Sequence, residues 1–321
     1  MKYSHTVIVC SRDRSLELLD FLEDISNITD FSSVKIIIVE NSLSSENYQA
    51  VKAKINNDSK FHKTTIIQSP PGLARARNES FSLIDSDIVH FMDDDISLPP
   101  NYFQAIDQAF FDNLQTGGIA PFIDTHSSTS VRSSIARVKK VFRQLLISEG
   151  RLSKSGRATW FSNPGKNTQV DWLPGCCMVY RFEIIKKLRF ETNLENGPLG
   201  GYALGEDLDF SHRVSQETNL MFLGETSIVH KLAPNQRTNW LSMDEGIGRL
   251  RAFLLARFPE DLRISRVITS LILEGLNDLI RIKITRTKVV SDNYKQFARL
   301  RFFYIERNKQ KLFISREQNE I

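Results

Sequence analysis

Cysteine is scarce in this sequence, and the few cysteines build no structural site. Only Cys10, Cys176 and Cys177 occur among the 321 residues. Adjacent cysteines do not form an ordinary structural disulfide, and no pair of cysteines has the spacing of a zinc site. The sequence therefore excludes a disulfide framework and a zinc module, and it favours a reducing compartment such as the cytoplasm.

Long hydrophobic runs are absent as well. A helix that spans a bilayer needs about 20 mostly apolar residues. The best candidate, 264–284, is interrupted by five charged side chains: Arg266, Glu274, Asp278, Arg281 and Lys283. The apolar stretch near Met1 is too short for a secretory signal. We therefore expect a cytoplasmic protein without a membrane-spanning helix.

Neither sign of charge dominates the chain. The formal net charge is +4, hydrophobic residues make up 41% and charged residues 25%, as in soluble globular proteins. So small a charge does not call for a nucleic-acid partner, and none is expected. Most of the positive excess lies in residues 240–321, which contain sixteen Lys and Arg against ten Asp and Glu.

The N-terminal third alternates strand-like and helix-like patterns. Strands are predicted at Thr6–Cys10, Val34–Glu40, Thr64–Gln68 and Ile88–Met92, and helices at 15–25, 46–55 and 74–83. Because the strands are rich in Val and Ile on both faces, the pattern predicts an α/β fold with a mainly parallel sheet between helices. Ligands of such sheets gather at the carboxyl ends of the strands.

The remaining residues predict further elements in a looser order. A helix is expected over 101–110, strands over 118–123 and 176–181, a helix near Gly205, two short strands that end at His230, and helices from about Ser242 onward. Residues 127–165 form a polar, basic insertion between two of these elements.

The fourth strand ends in three adjacent carboxylates, Asp93, Asp94 and Asp95. Clustered carboxylates repel one another unless a cation lies among them, and hard oxygen ligands suit Mg²⁺ or Mn²⁺. In extended backbone Asp93 and Asp95 project to one side and Asp94 to the other. The alternative is a solvated, acid-rich turn, which an isolated triplet would fit equally well.

A second acidic group follows a glycine-rich loop, with Glu206, Asp207 and Asp209 in four residues. One carboxylate near a helix N-terminus is ordinary capping, but three exceed that need. Asp209 can pair with Arg213 one turn later, which leaves Asp207 free to face a pocket.

Two further motifs contain basic side chains. Gly72 opens a helix that carries Arg75 and Arg77, and arginine makes charge-assisted contacts with diphosphate. An exposed salt-bridged helix would look the same. His230, at the end of a predicted strand, is either structural or a ligand that completes the coordination begun by Asp95.

Taken in order, these motifs resemble those of the family 2 glycosyltransferases with a GT-A fold. The motifs that carry the resemblance are 7–12 (VIVCSR), 39–42 (VENS), Gly72 with 74–78 (ARARN), Asp93–Asp95, 173–176 (LPGC), 205–207 (GED) and His230. They span roughly residues 5–235. The dinucleotide fingerprint GxGxxG is missing, which disfavours a nicotinamide enzyme.

The resemblance implies an inverting, metal-dependent transfer of a sugar from a nucleotide-diphosphate sugar, expected to be a UDP-sugar, to an acceptor hydroxyl. Asp207 would be the catalytic base, and Asp95 and His230 would hold Mn²⁺ or Mg²⁺. The expected nucleotide-sugar-binding residues are Ser11, Arg12, Glu40, Asn41, Arg75, Asp93 and Asp94. The expected acceptor-binding residues are Trp172, Gly175 and Glu206.

The resemblance, together with the helical and basic pattern of the C-terminal residues, predicts a domain arrangement. Residues 1–240 would form a GT-A catalytic domain with a Rossmann-like sheet, divided into a nucleotide-binding half, 1–95, and an acceptor-binding half, 96–240. Residues 241–321 would form a basic, helical C-terminal region. That region either packs on the catalytic domain or contacts the inner face of the cytoplasmic membrane, where a glycan or lipid-linked glycan acceptor would lie.

One difference from the family narrows the expected type of glycosyltransferase. The processive synthases that resemble this family carry QxxRW, whereas residues 236–240 read QRTNW. A single-addition enzyme of bacterial capsule, O-antigen or lipopolysaccharide assembly is therefore expected. Two alternatives stay open: a nucleotidyltransferase, and a nucleotide-sugar-binding scaffold without catalysis.

Overall fold

A computed structural model describes residues 2–42, 45–125, 149–160, 165–195, 204–231, 240–285 and 298–317. The alternation predicted for the N-terminal third is present. Its elements are β1 (His5–Ser11), α1 (Ser15–Ser26), β2 (Lys35–Glu40), α2 (Ser45–Asn57), β3 (Thr64–Gln68), α3 (Leu73–Ser80) and β4 (Ile88–Met92).

The middle of the chain adds five strands and three helices among the described residues. These elements are β5 (Ile96–Ser97), α4 (Tyr102–Asp112), β6 (Thr116–Thr125), β7 (Thr168–Val170), β8 (Cys177–Arg181), α5 (Phe182–Ile185), α6 (Glu206–Ser215) and β9 (Asn219–His230). Most of the predicted insertion, 127–165, lies outside the described residues, as does the glycine-rich loop at 196–201.

The strands form one sheet in the order β3-β2-β1-β4-β8-β6-β9-β5, and β7 pairs with β9. Strands β3, β2, β1 and β4 are mutually parallel, as predicted. Beyond β4 the sheet is mixed, because β8 runs antiparallel to both β4 and β6 while β9 is parallel to β6. The predicted α/β fold is confirmed, and the four N-terminal strands form its continuous parallel part.

Both faces of β1, β2 and β4 are buried and their sequences are mostly apolar, whereas β3, at the edge of the sheet, is partly exposed. Val7 and Ile36 belong to the core cluster that also contains Leu18 and Phe21 of α1. Phe91 of β4 packs edge-to-face against Phe190, with ring centroids 5.1 Å apart. Alternate side chains of a strand therefore enter different parts of the core.

The prediction of two short strands before His230 is wrong. Residues Asn219–His230 form one strand, β9. Its pairing with β6 shifts register where Pro121 pairs with Leu223 and Phe122 with Ser227. Gly224 lies in the shift, and a Cβ there would be 2.5 Å from the carbonyl oxygen of Lys166. The glycine marks a close approach of two backbones rather than the end of a strand.

The described residues fall into two compact units. One contains Met1–Arg151, Thr159–Thr192 and Glu206–Gln236, and the other contains Leu152–Ala158, Asn193–Gly205 and Arg237–Ile321. The predicted division of the chain at residues 240 and 241 stays a prediction.

The helices of the second unit are α7 (Trp240–Arg257), α8 (Ile264–Thr285) and α9 (Ala298–Glu317). Helices α7 and α9 approach each other closely at Gly248, where a Cβ would overlap the carbonyl oxygen of Arg299. In the described part of the chain, no helix has both the length and the apolar character that crossing a bilayer requires.

A buried chain of polar side chains links β1, β4 and α4. Asp107 contacts Nε2 of His5 at 2.9 Å, Nδ1 of His5 contacts Nε2 of His90 at 2.8 Å, and Nδ1 of His90 contacts the Tyr102 hydroxyl at 3.1 Å. Burial lowers the pKa of His90 well below its ordinary value. Burial also lowers the pKa of His5, although the hydrogen bond to Asp107 opposes the shift.

We expect these histidines to make the protein less stable in mild acid. A histidine whose folded-state pKa is lowered binds more protons when unfolded, so its contribution is present above the unfolded pKa, about 6.5, and declines as the pH falls below it. Urea unfolding of wild type and His90→Gln at pH 7.5 and 5.5 measures this contribution. On going from pH 7.5 to 5.5, the wild type should lose more unfolding free energy than His90→Gln does. The difference is up to about 1.4 kcal/mol per pH unit for one histidine.

The exposed His62 supplies the matched control, because His62→Gln should keep the wild-type pH dependence. Equal pH dependence in the wild type and His90→Gln would contradict the expectation.

Candidate functional site

The parallel register brings the polar ends of β1, β2 and β4 to one edge of the sheet. Ser11 at the end of β1 pairs with Glu40 at the end of β2. Val9 pairs with Met92, so the aspartates that follow β4 lie beside the end of β1. The backbone N–H of Asp93 donates to the carbonyl of Cys176 at 3.0 Å, which joins the edge to the segment before β8.

Asp93, Asp95 and His230 form a group that could hold a metal ion. One ligand atom from each residue lies within 4.8 Å of the other two. Nε2 of His230 is 2.9 Å from Oδ1 of Asp95 and 3.8 Å from Oδ2 of Asp93. The pairing of β5 with β9, which sets Ile96 opposite His230, brings the histidine to the aspartates. Two carboxylates and an imidazole are a donor set that Mn²⁺ accepts.

Asp94 faces the other way and binds β1 and Arg14. The Ser11 hydroxyl donates to Oδ2 of Asp94 at 2.7 Å. Arg14 spans two aspartates, with Nη1 2.8 Å from Oδ1 of Asp94 and Nη2 2.9 Å from Oδ2 of Asp95. Burial raises the pKa of Asp94 to about 7, although Arg14 and Ser11 oppose the shift.

The predicted nucleotide residues beside β1 and β2 differ in exposure. Arg12 is partly exposed and lies 3.6 Å from Asp13. Glu40 is buried, and its carboxylate accepts the backbone N–H and the hydroxyl of Ser42. Asn41 is buried too, and among the described residues its side-chain oxygen has no hydrogen-bond partner. A buried acceptor without a partner is costly, so Asn41 has capacity to bind a ligand donor.

Asp207 lies in the first turn of α6 and is fixed by two backbone groups. Its Oδ2 accepts the N–H of Gly175 at 2.8 Å, and its Oδ1 accepts the N–H of Leu208 at 2.8 Å. Burial raises the pKa of Asp207, and Arg77 together with these N–H groups opposes the shift. A Cβ at position 175 would lie 3.0 Å from Oδ2 of Asp207, so glycine allows the loop this close approach.

The other predicted acceptor residues lie on either side of this loop. Trp172 is buried, and its Nε1 donates to the carbonyl of Thr159 at 3.2 Å. Glu206 is buried and paired with Arg77 at 3.1 Å. Burial, and next the neighbouring Asp207, raise the pKa of Glu206 to about 7.

Arg77, rather than Arg75, connects the two acidic groups. Its Nη1 contacts Glu206, its Nη2 donates to the carbonyl of Gly175 at 2.9 Å, and the same nitrogen lies 3.9 Å from Oδ1 of Asp93. Nearby acids, Glu206 foremost, raise the pKa of Arg77 despite its burial. Arg75 is half-buried on the same helix, and its expected contact with a diphosphate stays a prediction.

Comparison with known protein families identifies the family of this chain. Residues 6–189 match the model of "Glycosyl transferase family 2", which covers more than half of the chain. The chain belongs to glycosyl transferase family 2. It is a glycosyltransferase, as its ordered motifs predict, and the match includes the aspartate triplet and Gly175. No curated protein matches the chain in sequence.

Solved structures share the fold of this family 2 enzyme at low identity. One is the mannosyltransferase PcManGT from Pyrobaculum calidifontis in complex with GDP-Man and Mn²⁺, with TM-score 0.58, 10% identity and coverage of 96% of this chain and 87% of that one. Another is S. aureus TarS 1-349 in complex with UDP-GlcNAc, with TM-score 0.55, 14% identity and coverage of 92% and 78%.

A third structure is GalNAc-T7 with UDP, GalNAc and Mn²⁺, with TM-score 0.54, 10% identity and coverage of 81% of this chain and 51% of that one. All three are glycosyltransferases, and the predicted GT-A fold is confirmed.

Two arginines of this site were not among the predicted site residues. Arg14 lies at the start of α1, three α-helices before the aspartates in sequence, and only the fold brings it to them. Arg77 carried a signal, because Ala74, Arg77 and Ser80 recur at three-residue spacing and are all buried. That spacing indicates the face of α3 that packs inward.

Proposed function

We propose that this family 2 glycosyltransferase moves a sugar from a UDP-sugar to an acceptor hydroxyl, with inversion at the anomeric carbon, in the assembly of a bacterial surface glycan. The observation that carries the proposal is the convergence of two acidic groups through Arg77. On one side lie Asp93, Asp95 and His230, and on the other lie Glu206, which contacts Arg77, and its neighbour Asp207. A transferase of this kind needs a cation for the leaving diphosphate and a base for the attacking hydroxyl.

Asp95 and His230 would hold Mn²⁺ or Mg²⁺, with Asp93 within reach as a third ligand or on the ribose and sugar side. When bound, such an ion neutralises charge on the departing diphosphate, a contribution of several kcal/mol. The two carboxylates and the imidazole, which are suitable metal ligands, support the proposal. The Mn²⁺ named with two of the similar structures supports it as well.

The nucleoside would lie against Ser11, Arg12, Glu40 and Asn41 at the ends of β1 and β2, with Asp94 beneath it and Arg75 near the diphosphate. The buried, unpartnered side-chain oxygen of Asn41 supports this placement, because a ligand N–H or O–H would satisfy it. The uridine named with two of the similar structures favours UDP over GDP.

Asp207 would be the base, with Gly175, Glu206 and Trp172 around the acceptor. Its raised pKa makes the carboxylate a stronger base than an exposed aspartate, and its two N–H partners hold it in one orientation. Attack from the face opposite the leaving diphosphate would invert the anomeric carbon.

Thermal denaturation with candidate donors tests the proposal. A ligand that binds the folded state raises the melting temperature, and a hundredfold excess over Kd adds about 2.7 kcal/mol. UDP-sugars with Mn²⁺ should raise it more than GDP-sugars, and chelation should remove most of the shift. Stronger stabilisation by a nucleoside triphosphate with a sugar 1-phosphate would indicate a nucleotidyltransferase instead.

We further propose that the C-terminal helices contact an anionic membrane surface that presents a lipid-linked glycan acceptor. Ile272, Leu273 and Leu276 are exposed on α8, and Tyr304 and Ile305 are exposed on α9, in the region that carries the positive excess. Apolar side chains flanked by basic residues are typical of interfacial helices.

Co-sedimentation with phosphatidylglycerol vesicles checks this contact. The double variant Leu273→Glu/Leu276→Glu should sediment about tenfold less than the wild type, because two leucines leave the interface. Leu114→Glu changes an exposed leucine of the other unit and should sediment normally. Equal sedimentation of all three proteins would refute membrane contact through α8.

A further inference from the structure

Two of the three tryptophans of the chain lie together, in the same compact unit as Asp207. The ring centroids of Trp160 and Trp172 are 5.6 Å apart, and the ring planes are inclined by 57°. Trp172 is only 6% exposed, whereas Trp160 is 54% exposed. A buried indole therefore supports an exposed one. We call Trp160 and Trp172 the tryptophan pair.

Hydrogen bonds hold the backbone beneath the tryptophan pair in place. The indole Nε1 of Trp172 donates to the carbonyl of Thr159, the residue directly before Trp160, at 3.2 Å. The N–H of Thr159 donates to the carbonyl of Arg151 at 3.0 Å, and its hydroxyl accepts the N–H of Arg151 at 2.9 Å. Because Thr159 is bound from both sides, the exposed indole that follows it rests on fixed backbone.

An exposed indole on a fixed base is better suited to binding than to folding. Its large apolar face stays in water, so the fold gains little from it. The face of an aromatic ring carries negative charge density, and the C–H groups on the face of a pyranose ring are weakly positive. An indole also has only two side-chain torsions to fix when a ligand binds. Trp160 is therefore a suitable platform for a sugar ring.

An ion pair beside the tryptophan pair offers the polar contacts that a sugar also needs. Nη1 of Arg151 lies 2.7 Å from Oδ1 of Asp171, the residue directly before Trp172. Their side chains are 40% and 24% exposed, so both reach solvent. Sugar hydroxyls donate to carboxylates and accept from guanidinium groups. A carboxylate at this position is unfavourable against an anionic membrane, which argues against Trp160 as a membrane anchor.

The tryptophan pair lies close to the proposed base along the chain. Trp172 is three residues before Gly175, whose N–H binds Asp207, so the α-carbons of residues 172 and 175 are at most about 11 Å apart. Leu173 between them is fixed to α6, because its N–H donates to the Ser211 hydroxyl at 3.0 Å. An oligosaccharide that offers a hydroxyl to Asp207 can therefore extend to the tryptophan pair.

We propose that the exposed face of Trp160 binds a pyranose ring of the acceptor, which is therefore a saccharide rather than a free polyol or a lipid alcohol. Trp172 holds the platform in position, and Arg151 and Asp171 contact the sugar hydroxyls. This inference rests on the proposed transfer to an acceptor hydroxyl, and it names the chemical class of that acceptor.

Binding of the full chain to an immobilised array of oligosaccharides, made of hexoses, N-acetylhexosamines and deoxyhexoses, tests the proposal. Trp160→Ala should lower the signal of the strongest saccharides about tenfold, and Trp160→Phe should stay within about threefold of the wild type, because phenylalanine keeps an aromatic face. Melting curves should be unchanged, since the replaced side chain is exposed. Equal binding by Trp160→Ala and the wild type, or no saccharide bound by the wild type, would overturn the proposal.

Phe111→Ala is the matched control for the array. Phe111 is 52% exposed and belongs to α4, so its replacement removes an aromatic ring of similar exposure from another element. This variant should bind every saccharide as the wild type does.

Tryptophan emission in solution shows where the sugar lies. Titration with the strongest saccharide of the array should change the emission of the wild type, and it should change that of Trp160→Phe far less although this variant still binds. An equal change in both proteins would place the sugar away from Trp160 and overturn the proposal.

Two further measurements separate this inference from its alternatives. The array needs no sugar donor, whereas release of UDP from a UDP-sugar with Mn²⁺, with water in place of the acceptor, reports the proposed transferase. UDP release by a wild type that binds no saccharide would overturn this inference alone, and saccharide binding through Trp160 without UDP release would contradict only the proposed donor. If Trp160→Ala lowers sedimentation with phosphatidylglycerol vesicles and leaves array binding unchanged, Trp160 contacts a membrane and the proposal is overturned.

Discussion

Asp207→Asn should lower the turnover number by about a thousandfold, within the range that general bases contribute. The amide is nearly the same size as the carboxylate but cannot accept the acceptor's proton. Donor affinity should stay within about threefold, because the nucleotide residues proposed at β1 and β2 do not contact this side chain. Steady-state transfer assays and donor titration on the same preparation measure the two quantities.

The Asp207→Asn variant also changes the hydrogen bonds of the neighbouring backbone, which affects its stability. Both oxygens of Asp207 accept N–H groups, from Gly175 and Leu208, and an asparagine can accept only one of them. A melting curve therefore accompanies the assay, and Glu217→Gln, at an exposed position just after α6, serves as the matched control. Unchanged turnover in a folded Asp207→Asn protein would remove this residue from the mechanism.

The proposed base also predicts a pH dependence of transfer. A base must be deprotonated to act, and the pKa of Asp207 is raised by burial, so turnover should decline at a higher pH than it would for an exposed aspartate. The Asp207→Asn protein should lose this acid limb in the pH profile of its residual activity.

Asp95→Asn should abolish metal-supported transfer and weaken Mn²⁺ binding by about a hundredfold, since losing even an outer-sphere partner costs tenfold to a hundredfold. The change replaces the carboxylate that contacts both His230 and Arg14. Titration of Mn²⁺ followed by electron paramagnetic resonance counts the free ion without relying on activity.

A surface aspartate provides the comparison for this variant. Asp85 pairs with Lys35 at 2.9 Å, and its side chain is 73% exposed, so Asp85→Asn removes one charge far from any proposed ligand role. That variant should bind Mn²⁺ like the wild type. Wild-type Mn²⁺ affinity in a folded Asp95→Asn protein would exclude Asp95 as a ligand.

The parallel half of the sheet could be predicted almost residue by residue. Thr64–Gln68 and Ile88–Met92 coincide with the predicted strands, because short Val- and Ile-rich runs between polar turns have few other conformations open to them. Strand β9 could not be predicted in the same way. Its Gly224 resembles a turn signal, and only the partner backbone at Lys166 explains why glycine stands inside a strand.

The residues of the candidate site also differ in how well the sequence predicts them. The aspartate triplet and Asp207 were identifiable because unusual chemistry is concentrated in a few consecutive residues. Arg14 and Arg77 act through contacts with residues distant in sequence, and nothing near Arg14 distinguishes it from Arg12. Which of two nearby arginines turns inward depends on the fold, so the sequence could limit the choice without making it.

The bridge from Arg14 to Asp94 and Asp95 has a practical consequence for handling the enzyme. The Arg14 guanidinium offsets part of the negative charge of the two carboxylates while no divalent ion is present. Chelation should therefore leave a folded apoprotein that can be stored and later reloaded, rather than one that aggregates once stripped. A purification that includes EDTA should then be harmless, with activity recovered simply by adding the ion back.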